Sequence, residues 1–388
     1  MGGTDFVIHT GYGIFYNVNM INNFVPILAA NPPQTLRIEE VALARRPIIT
    51  MGTADEAANK IPDSSVSGAA TDHTIGFVQQ WNFNIQKSLP WNLIAEIWYN
   101  GSKSDYFDNP AEYNAFLPNT IGTANPTRLY PGFSSIEIHD NAASGPYHGL
   151  LTKLEKRFSG GLTFLQTYTW SNVMFDSRAC CGAERPNNPW DRRTAERGRG
   201  DFNITHRGTT AFLWELPFGN NLTGAAKHIV GGWQVNGVLI LATGLPVHPN
   251  QGRTDPTEGD GCPRCNRRPY RVGNGNLSGS SRSLDRWFDT DAFVFASPES
   301  RVALGRGLYG DTGRTILEEP GRTGLDFSIF KNVDEKERHR VQFRWEMYNA
   351  TNTPPFLTPQ LNIQSETFGR ITSALAGREM QLGLRWQF

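Results

Sequence analysis

Four cysteines are the residues of this sequence best able to form covalent or metal bonds. They occur as the adjacent pair Cys180 and Cys181 and as the CxxC pair Cys262 and Cys265, in stretches rich in glycine, proline and arginine. In an oxidising compartment, four cysteines allow three fully paired connectivities. The CxxC could instead hold zinc, but the two pairs lie in different predicted loops and no histidine stands at ligand spacing. The pattern favours disulfides over free thiols or zinc, and it predicts no metal and no cofactor.

Histidines and aspartates are the second group that could do chemistry. His148 follows Asp140 by eight residues, and His206, His339 and Asp326 lie in predicted strands. Such residues could form the Asp/His or Ser/His site of a hydrolase. No nucleophile elbow, HExxH motif or glycine-rich phosphate loop accompanies them. Solvated or hydrogen-bonded histidines are therefore the favoured interpretation, and the sequence predicts that the chain is not an enzyme.

Two clusters of charged residues could bind ions. The first is a mixed-sign run that contains Asp191, Arg192, Arg193, Glu196, Arg197, Arg199 and Asp201. Arginine forks suit carboxylates and phosphates, so an anionic ligand is one interpretation. A solvated loop or a ladder of charges facing a lumen is favoured over it. The second cluster, Asp255, Glu258 and Asp260, could hold Ca²⁺ only weakly because EF-hand spacing is missing.

Composition limits the folds that could position these residues. The 388 residues carry 37 basic and 37 acidic side chains, so no electrostatic footprint for nucleic acid exists. Aromatic residues at 11%, with 39 glycines and 24 prolines, suit many strands joined by turns and loops. No apolar run reaches the roughly 18 residues of a transmembrane helix, whereas a barrel strand needs only about 9–11 residues with one apolar face.

The final strand, 378–388, shows such a one-sided pattern. One face carries Met380, Leu382, Leu384, Trp386 and Phe388. The other face carries Glu379, Gln381, Gly383, Arg385 and Gln387. Apolar and polar residues alternate in the same way within 77–87, 150–157, 212–216, 233–241, 325–329 and 340–347. Period-2 alternation predicts strands with one apolar face.

Connection lengths distinguish a membrane barrel from a soluble sandwich. The pattern predicts ten long strands, near 6–16, 74–87, 92–101, 146–157, 161–172, 203–216, 231–244, 323–333, 338–350 and 378–388. Alternate connections are short, and those between them are long, near 17–73, 102–145, 173–202, 245–322 and 351–377. Short turns on one side and long loops on the other are typical of an antiparallel outer-membrane β-barrel, with the C-terminus in the periplasm. The stretch Phe133–Asp140 could add an extracellular hairpin strand that does not cross the membrane.

About a dozen short motifs resemble, in the same order, those of TonB-dependent receptors of the Oar-like type, which contain a carboxypeptidase-regulatory-like domain. Each motif is weakly specific alone, and together they cover nearly the whole chain. The most recognisable are Phe77–Asn82 with Leu89–Pro90, Tyr99–Lys103, Leu154–Ser159, Gly232–Gly237 and Phe343–Asn352.

The resemblance implies that residues 1–388 are the C-terminal part of a larger barrel, about half of its strands. Signal peptide, TonB box, plug and N-terminal domain would be absent, which implies a truncated gene, a mature form or a fragment. The implied location is the outer membrane of a Gram-negative cell, in contact with its lipid. The terminal aromatic strand, with Trp386 and Phe388, resembles the signal that barrel assembly machinery recognises. The TonB complex would be reached only through the missing N-terminal regions.

Three functions remain open at this point. The first is uptake of a large solute such as an oligosaccharide or a peptide. The second is an enzyme on a ten-stranded barrel, similar to the omptin-type proteases, which requires Asp and His residues within hydrogen-bond reach. The third is a passive pore or an adhesive structural barrel. Pairing of the first strand with the last would indicate a closed ten-stranded cylinder, whereas two unpaired edges would support a half-barrel.

Overall fold

The computed structural model describes residues 6–17, 29, 31, 64–72, 74–121, 125–176, 186–191, 196–219, 221–252, 265, 267–335 and 339–387. Ten strands follow one another in a single antiparallel sheet. They are β1 (Phe6–Tyr16), β3 (Phe77–Leu89), β4 (Leu93–Glu112), β5 (Phe133–Ser159), β6 (Leu162–Phe175), β8 (His206–Glu215), β9 (Trp233–Ala242), β14 (Arg322–Glu335), β15 (His339–Tyr348) and β16 (Glu379–Gln387). The predicted strands and their antiparallel order are therefore confirmed.

Shorter elements lie between these strands. Two join the main sheet at its margins, β2 (Ser64–Ala69) beside β5 and β7 (Gly198–Arg199) beside β6. Two small sheets pair β10 (Pro246–Val247) with β13 (Leu317–Glu318) and β11 (Tyr270–Arg271) with β12 (Phe293–Val294). The described helices are α1 (Ala225–Val230), α2 (Pro298–Leu304) and the 3₁₀ turns Gly279–Ser281 and Thr290–Ala292. No described helix is both long and apolar enough to cross a membrane.

The register of the sheet places the predicted apolar and polar residues on opposite faces. Ile329 pairs with Trp345, which pairs with Leu382, and all three belong to the apolar set. One residue earlier on β14, Ser328 begins the polar row that continues through Glu346 and Gln381. Since side chains alternate strictly along a strand, this register gives β14, β15 and β16 an apolar outer face and a polar inner face.

Tight turns join the strands at the end of the sheet predicted to be periplasmic. Between β3 and β4, Trp91 and Asn92 both adopt positive φ, at 62° and 59°. Two successive residues with positive φ match the twist of the flanking strands and close the hairpin tightly. Gly160 and Gly161 play the same part between β5 and β6, at 61° and 80°.

One predicted connection is wrong. The loop expected over 102–145 is mostly strand, because β4 continues to Glu112 and β5 already begins at Phe133. The stretch 133–140 is a strand paired in a hairpin, as predicted, but it is continuous with β5 as its upper part, with β2 parallel to it on one side and β4 on the other. This upper hairpin has no clear apolar face, since it extends beyond the lipid-facing part of the sheet, so the alternation signal fails there.

The long connections pack against each other at the end of the sheet opposite the tight turns, which we call the upper end. Their apolar centre is the cluster Phe288, Ala292, Phe293 and Leu317, with the ring centroids of Phe288 and Phe293 6.0 Å apart. Leu361, Ile363 and Phe368 from the connection between β15 and β16 pack against this cluster. Two connections that are distant in sequence thus share one small core, which we call the loop core.

Candidate functional site

The outer face of the sheet exposes many large apolar side chains, which is unfavourable in water. Leu382 and Leu384 on β16 are 71% and 75% exposed, and many large apolar residues of the neighbouring strands are also exposed. Apolar patches of this extent mark contact with another molecule or with lipid. A sheet that exposes so many apolar side chains on one face, with most of its charged side chains on the other, suits a hydrocarbon environment.

Aromatic residues border the apolar surface at two heights. The upper border, towards the long loops, consists of Tyr12, Trp81, Tyr99, His148, Tyr168, Trp170 and His206. The lower border, towards the tight turns, consists of Trp214, Trp233 and Trp386. Along β8, the eight steps from His206 to Trp214 span about 27 Å at ~3.4 Å per residue. With barrel tilt, this length matches the apolar band of about 25 Å and its two aromatic girdles.

Two histidines of the upper border make the same contact. The Tyr99 hydroxyl lies 2.8 Å from Nδ1 of His148, and the Tyr168 hydroxyl lies 2.8 Å from Nδ1 of His206. The rings of each pair are stacked, with centroids 6.2 Å apart. Histidine is thus held by a tyrosine at the membrane border, as the non-catalytic interpretation expects.

Polar side chains of the inner face are linked across the strands. Lys153 on β5 pairs with Glu96 on β4 at 3.2 Å and with Glu155 at 2.8 Å. Further along the sheet, the Asn236 amide donates to the Ser328 hydroxyl at 3.2 Å, and Gln381 donates to Glu346. Lys153 offsets part of the charge of Glu96 and Glu155, and the polar side chains around it suit a face in contact with water more than a packed core.

A cavity of about 580 Å³ follows this inner face across β5, β6, β8, β9, β14 and β15. Its polar lining includes Lys153, Glu155, Asn236, Asp326, Ser328 and Glu346. A volume of this size lies within the range of small-molecule sites, about 300–1,000 Å³. The inner face therefore offers space for a polar solute or for another protein segment.

The mixed-sign run has a structural role in the residues that can be followed. Glu196 accepts from Arg268 at 2.9 Å, and this Arg268 side chain is only 2% exposed. Asp201 pairs with the buried Arg314, and the Arg199 guanidinium donates to the Thr315 carbonyl at 3.2 Å. These contacts, which we call the loop clamps, join the connection after β6 to the one after β9. Arg197 is exposed, and Arg192 and Arg193 lie outside the described residues.

A buried histidine that the sequence did not single out lies on the upper part of β5. Nδ1 of His139 is 2.9 Å from Asp108, and its Nε2 is 3.5 Å from Glu137. Burial alone lowers the pKa of His139, but hydrogen bonds and attraction from the two carboxylates outweigh it and raise the pKa to about 9. Both ring nitrogens therefore carry protons at neutral pH, so His139 cannot accept a proton from a nucleophile.

The candidate hydrolytic residues do not come together. Asp140 accepts from the Tyr113 hydroxyl at 2.8 Å, and Asp326 accepts from the Asn349 backbone at 2.9 Å. His148 and His206 bond to tyrosines instead. The side chain of His339 lies outside what the structure describes. Among the described residues, no group of three or more His, Cys, Asp or Glu side chains could hold a metal ion. The acidic cluster Asp255, Glu258 and Asp260 lies outside them.

Cys265 is disulfide-bonded and buried against Ala115 of the β4–β5 connection. Cys180, Cys181 and Cys262 lie outside the described residues, so the pairing of the four cysteines stays a prediction. Trp386 takes its predicted place on the outer face of β16, opposite Val341. Phe388 lies outside the described residues, and its part in barrel assembly is likewise a prediction.

Comparison with known families identifies the environment of the two faces of the sheet. Residues 2–381 match the family model of the outer membrane beta barrel domain. The chain belongs to this family. As an outer-membrane β-barrel domain it resides in the outer membrane, with its apolar outer face towards lipid. No curated protein matches the sequence closely enough to count as a relative.

Parts of several solved structures resemble this domain. The outer membrane transporter YddB from Escherichia coli aligns with 98% of the chain at 8% identity and a TM-score of 0.49. The ferric-catecholate import receptor Fiu from E. coli K12 aligns with 98% at 8% identity and 0.42. The FrpB iron transporter from Neisseria meningitidis aligns with 82% at 11% identity and 0.39. The chain covers only 38%, 33% and 32% of these three structures.

The sequence predicted the two faces of the sheet but not the ion pairs formed beyond its membrane-spanning part. The partners of Asp108 and Glu196 lie 31 and 72 residues away in sequence. A local pattern contains no signal for such pairs. The signal that could have been read is the repeated presence of charged residues in otherwise glycine- and proline-rich connections.

Proposed function

We propose that this domain is part of the barrel of a TonB-dependent receptor that takes up a solute such as an oligosaccharide or a peptide. The observation that carries the proposal is the polar inner face with its cavity of about 580 Å³, in a domain of the outer membrane beta barrel family. The ordered sequence motifs of Oar-like receptors support the same assignment. An enzyme is not favoured, because the candidate residues Asp140, His148, His206 and Asp326 are engaged in structural contacts.

In this proposal the ten strands form the C-terminal part of a larger barrel. The inner face then contacts a plug, and the TonB complex acts through segments encoded upstream of this domain. Ion pairs such as those of Lys153 with Glu96 and Glu155 suit a hydrated interface with a plug, since partly exposed ion pairs are readily solvated and contribute little to stability.

The proposal is tested by uptake in the native host, with the gene expressed from its complete chromosomal locus. Cells that carry the gene should accumulate a labelled solute, and deletion of tonB should abolish that accumulation. A domain that conducts ions by itself in planar bilayers and transports equally well without TonB would instead be a passive pore. A Glu155→Gln variant, which removes one inner-face charge, serves as a control for effects on assembly.

The cysteines are proposed to form two disulfides in the extracellular connections. Alkylation of the denatured protein without reductant, followed by mass spectrometry, should find no free thiol at Cys180, Cys181, Cys262 or Cys265. Peptide mapping would then assign one of the three connectivities. Four alkylated cysteines in protein taken from an oxidising compartment would contradict the proposal.

A further inference from the structure

A second cavity of about 580 Å³ lies above the membrane-spanning part of the wall, among the upper ends of β4, β5 and β6 and the segment 186–191. It is separate from the inner-face cavity and shares no lining residue with it. Its chemically informative lining consists of Tyr106, Trp190, Asp105, Asn109, Asp176 and Asp191. We call it the upper cavity.

Tyr106 is held towards this cavity by an unusual backbone. Its φ is 61°, and the β4–β5 register shifts between Ser104 and Phe107, so Tyr106 lies in a bulge. A bulky residue in this left-handed region costs about 1–3 kcal/mol, and bulges redirect side chains at functional places. Tyr106 remains 47% exposed, and its ring lies beside that of Phe77 at a centroid distance of 5.9 Å. The bulge therefore presents an aromatic ring and does not bury it.

Trp190 supplies a second exposed ring, at 40% exposure. Its indole N–H donates to the Phe116 carbonyl at 3.2 Å, and its backbone N–H donates to the Asn188 side chain at 2.9 Å. Both contacts fix the edge of the ring and the backbone. They leave the apolar ring face available at the cavity, in an orientation set before any ligand arrives.

The polar lining is also held in place. The two carboxylate oxygens of Asp176 accept from the backbone N–H and hydroxyl of Ser144, at 2.5 and 3.1 Å. Asp105 pairs with Lys103 at 3.1 Å. Carboxylates accept hydrogen bonds, and the carboxamide of Asn109 can both donate and accept. The described residues that line the cavity include three aspartates and no lysine, arginine or histidine, so they favour a neutral ligand over an anionic one.

We propose that the upper cavity binds a neutral oligosaccharide. Sugar rings have apolar C–H faces that stack on Trp190 and Tyr106, and hydroxyls that donate to Asp105, Asp176 and Asp191. The inference rests on the proposed function, because it identifies an oligosaccharide as the class of solute and places its first contact outside the membrane. The same chemistry is offered by a free oligosaccharide and by the neutral sugars of an outer-leaflet glycolipid.

Binding is measured on the purified full chain in detergent micelles by isothermal titration calorimetry. The probes are maltohexaose, cellohexaose, mannohexaose and xylohexaose, with hexagalacturonate as the anionic comparison. At least one neutral hexaose should bind, and hexagalacturonate should bind at least tenfold more weakly. Failure of all four neutral probes, or equal binding of hexagalacturonate, overturns the proposal.

The variants remove a ring without disturbing the fold. Tyr106→Gly keeps the positive φ that glycine tolerates, and Trp190→Ala removes the second ring. Each should lower the affinity for the bound hexaose at least tenfold, whereas Trp190→Phe should retain most of it. Tyr130→Ala removes an exposed ring of the β4–β5 connection that does not line the cavity, and this variant should bind as the unchanged protein does. Unchanged affinity in both ring-deletion variants overturns the proposal.

Two further experiments identify the source of the sugar and test the transport proposal independently of the binding site. If purified lipopolysaccharide displaces the hexaose, the ligand is a glycolipid, and if it does not, the ligand is a free oligosaccharide. The binding assay needs neither TonB nor a plug. Hexaose binding without TonB-dependent uptake would remove the transport proposal and leave the site, whereas uptake without hexaose binding would remove only the saccharide assignment.

Discussion

At the scale of single residues, His139 is the clearest case of a charge that the fold has fixed. It is the cation between Asp108 and Glu137 on the upper β4–β5 hairpin, and its side chain is only 5% exposed. Its pKa is raised from 6.5 to about 9. When folding raises the pKa of a group, the protonated group stabilises the folded state. This stabilisation is complete below the pKa of the unfolded state and is lost as pH rises above the pKa of the folded state.

The free energy needed to open the upper hairpin should therefore fall as pH rises from about 6.5 to about 9. The expected loss is about 2 kcal/mol, a value reduced because Asp108 is partly exposed to solvent. Hydrogen exchange of residues 105–140, corrected for the intrinsic rate, measures this loss. His139→Gln should be less protected at pH 6.5 and should lose the pH dependence. A variant that kept the same pH profile would show that another group is responsible.

Arg268 and Glu196 lead to a second prediction at this scale. Removal of one partner of a buried ion pair leaves the other charge uncompensated and costs about 3–5 kcal/mol, whereas apolar replacement of both partners is often nearly neutral. Arg268→Met should therefore open the loop clamps, and the double variant Arg268→Met with Glu196→Leu should partly restore them. Limited proteolysis of intact cells, read at the connections 176–205 and 243–321, distinguishes the two. Equal cleavage of the single variant and the unchanged protein would contradict the prediction.

At the scale of elements, the strand faces lead to a matched pair of substitutions on β16. Leu382 lies on the outer face and Gln381, its neighbour, on the inner face opposite Glu346. An arginine on the lipid face near the bilayer midplane costs about 2–4 kcal/mol, whereas a lumenal substitution costs little. Leu382→Arg should lower the amount of folded protein in the outer membrane severalfold, and Gln381→Arg should leave it near normal. Heat-modifiable migration in gel electrophoresis measures the folded fraction. Equal loss in both variants would argue against the assigned faces.

The same elements show how far the sequence determines the fold. All ten long strands could be predicted, because lipid on one side and water on the other impose strict alternation, as in Val341, Phe343 and Trp345. The upper parts of β4 and β5 could not, since neither of their faces meets lipid. The loop clamps and the upper cavity were also missed. Trp190 and Phe116 are 74 residues apart, and only the tertiary fold brings them together.

At the scale of the whole molecule, the two margins of the sheet decide how the barrel is completed. Within the described residues β1 pairs only with β3, and β16 pairs only with β15. An unpaired strand edge in hydrocarbon leaves backbone N–H and C=O groups without partners, which costs several kcal/mol for each group. Under the proposed function, these two edges pair with further strands of a larger barrel and not with each other.

Paired cysteine substitutions test this completion. Thr10 on β1 and Leu384 on β16 both lie on the outer face near the middle of their strands, so Thr10→Cys with Leu384→Cys should form no disulfide within one chain if the barrel is larger. Phe343→Cys with Leu384→Cys, at Cα-paired positions of β15 and β16, is the positive control and should cross-link. Mass spectrometry of the tryptic peptides separates these bridges from those of the native cysteines. An efficient Thr10–Leu384 bridge in the folded protein would demonstrate a closed ten-stranded cylinder, because Cα atoms more than about 7 Å apart cannot be joined. It would exclude the larger barrel and favour a pore that acts alone.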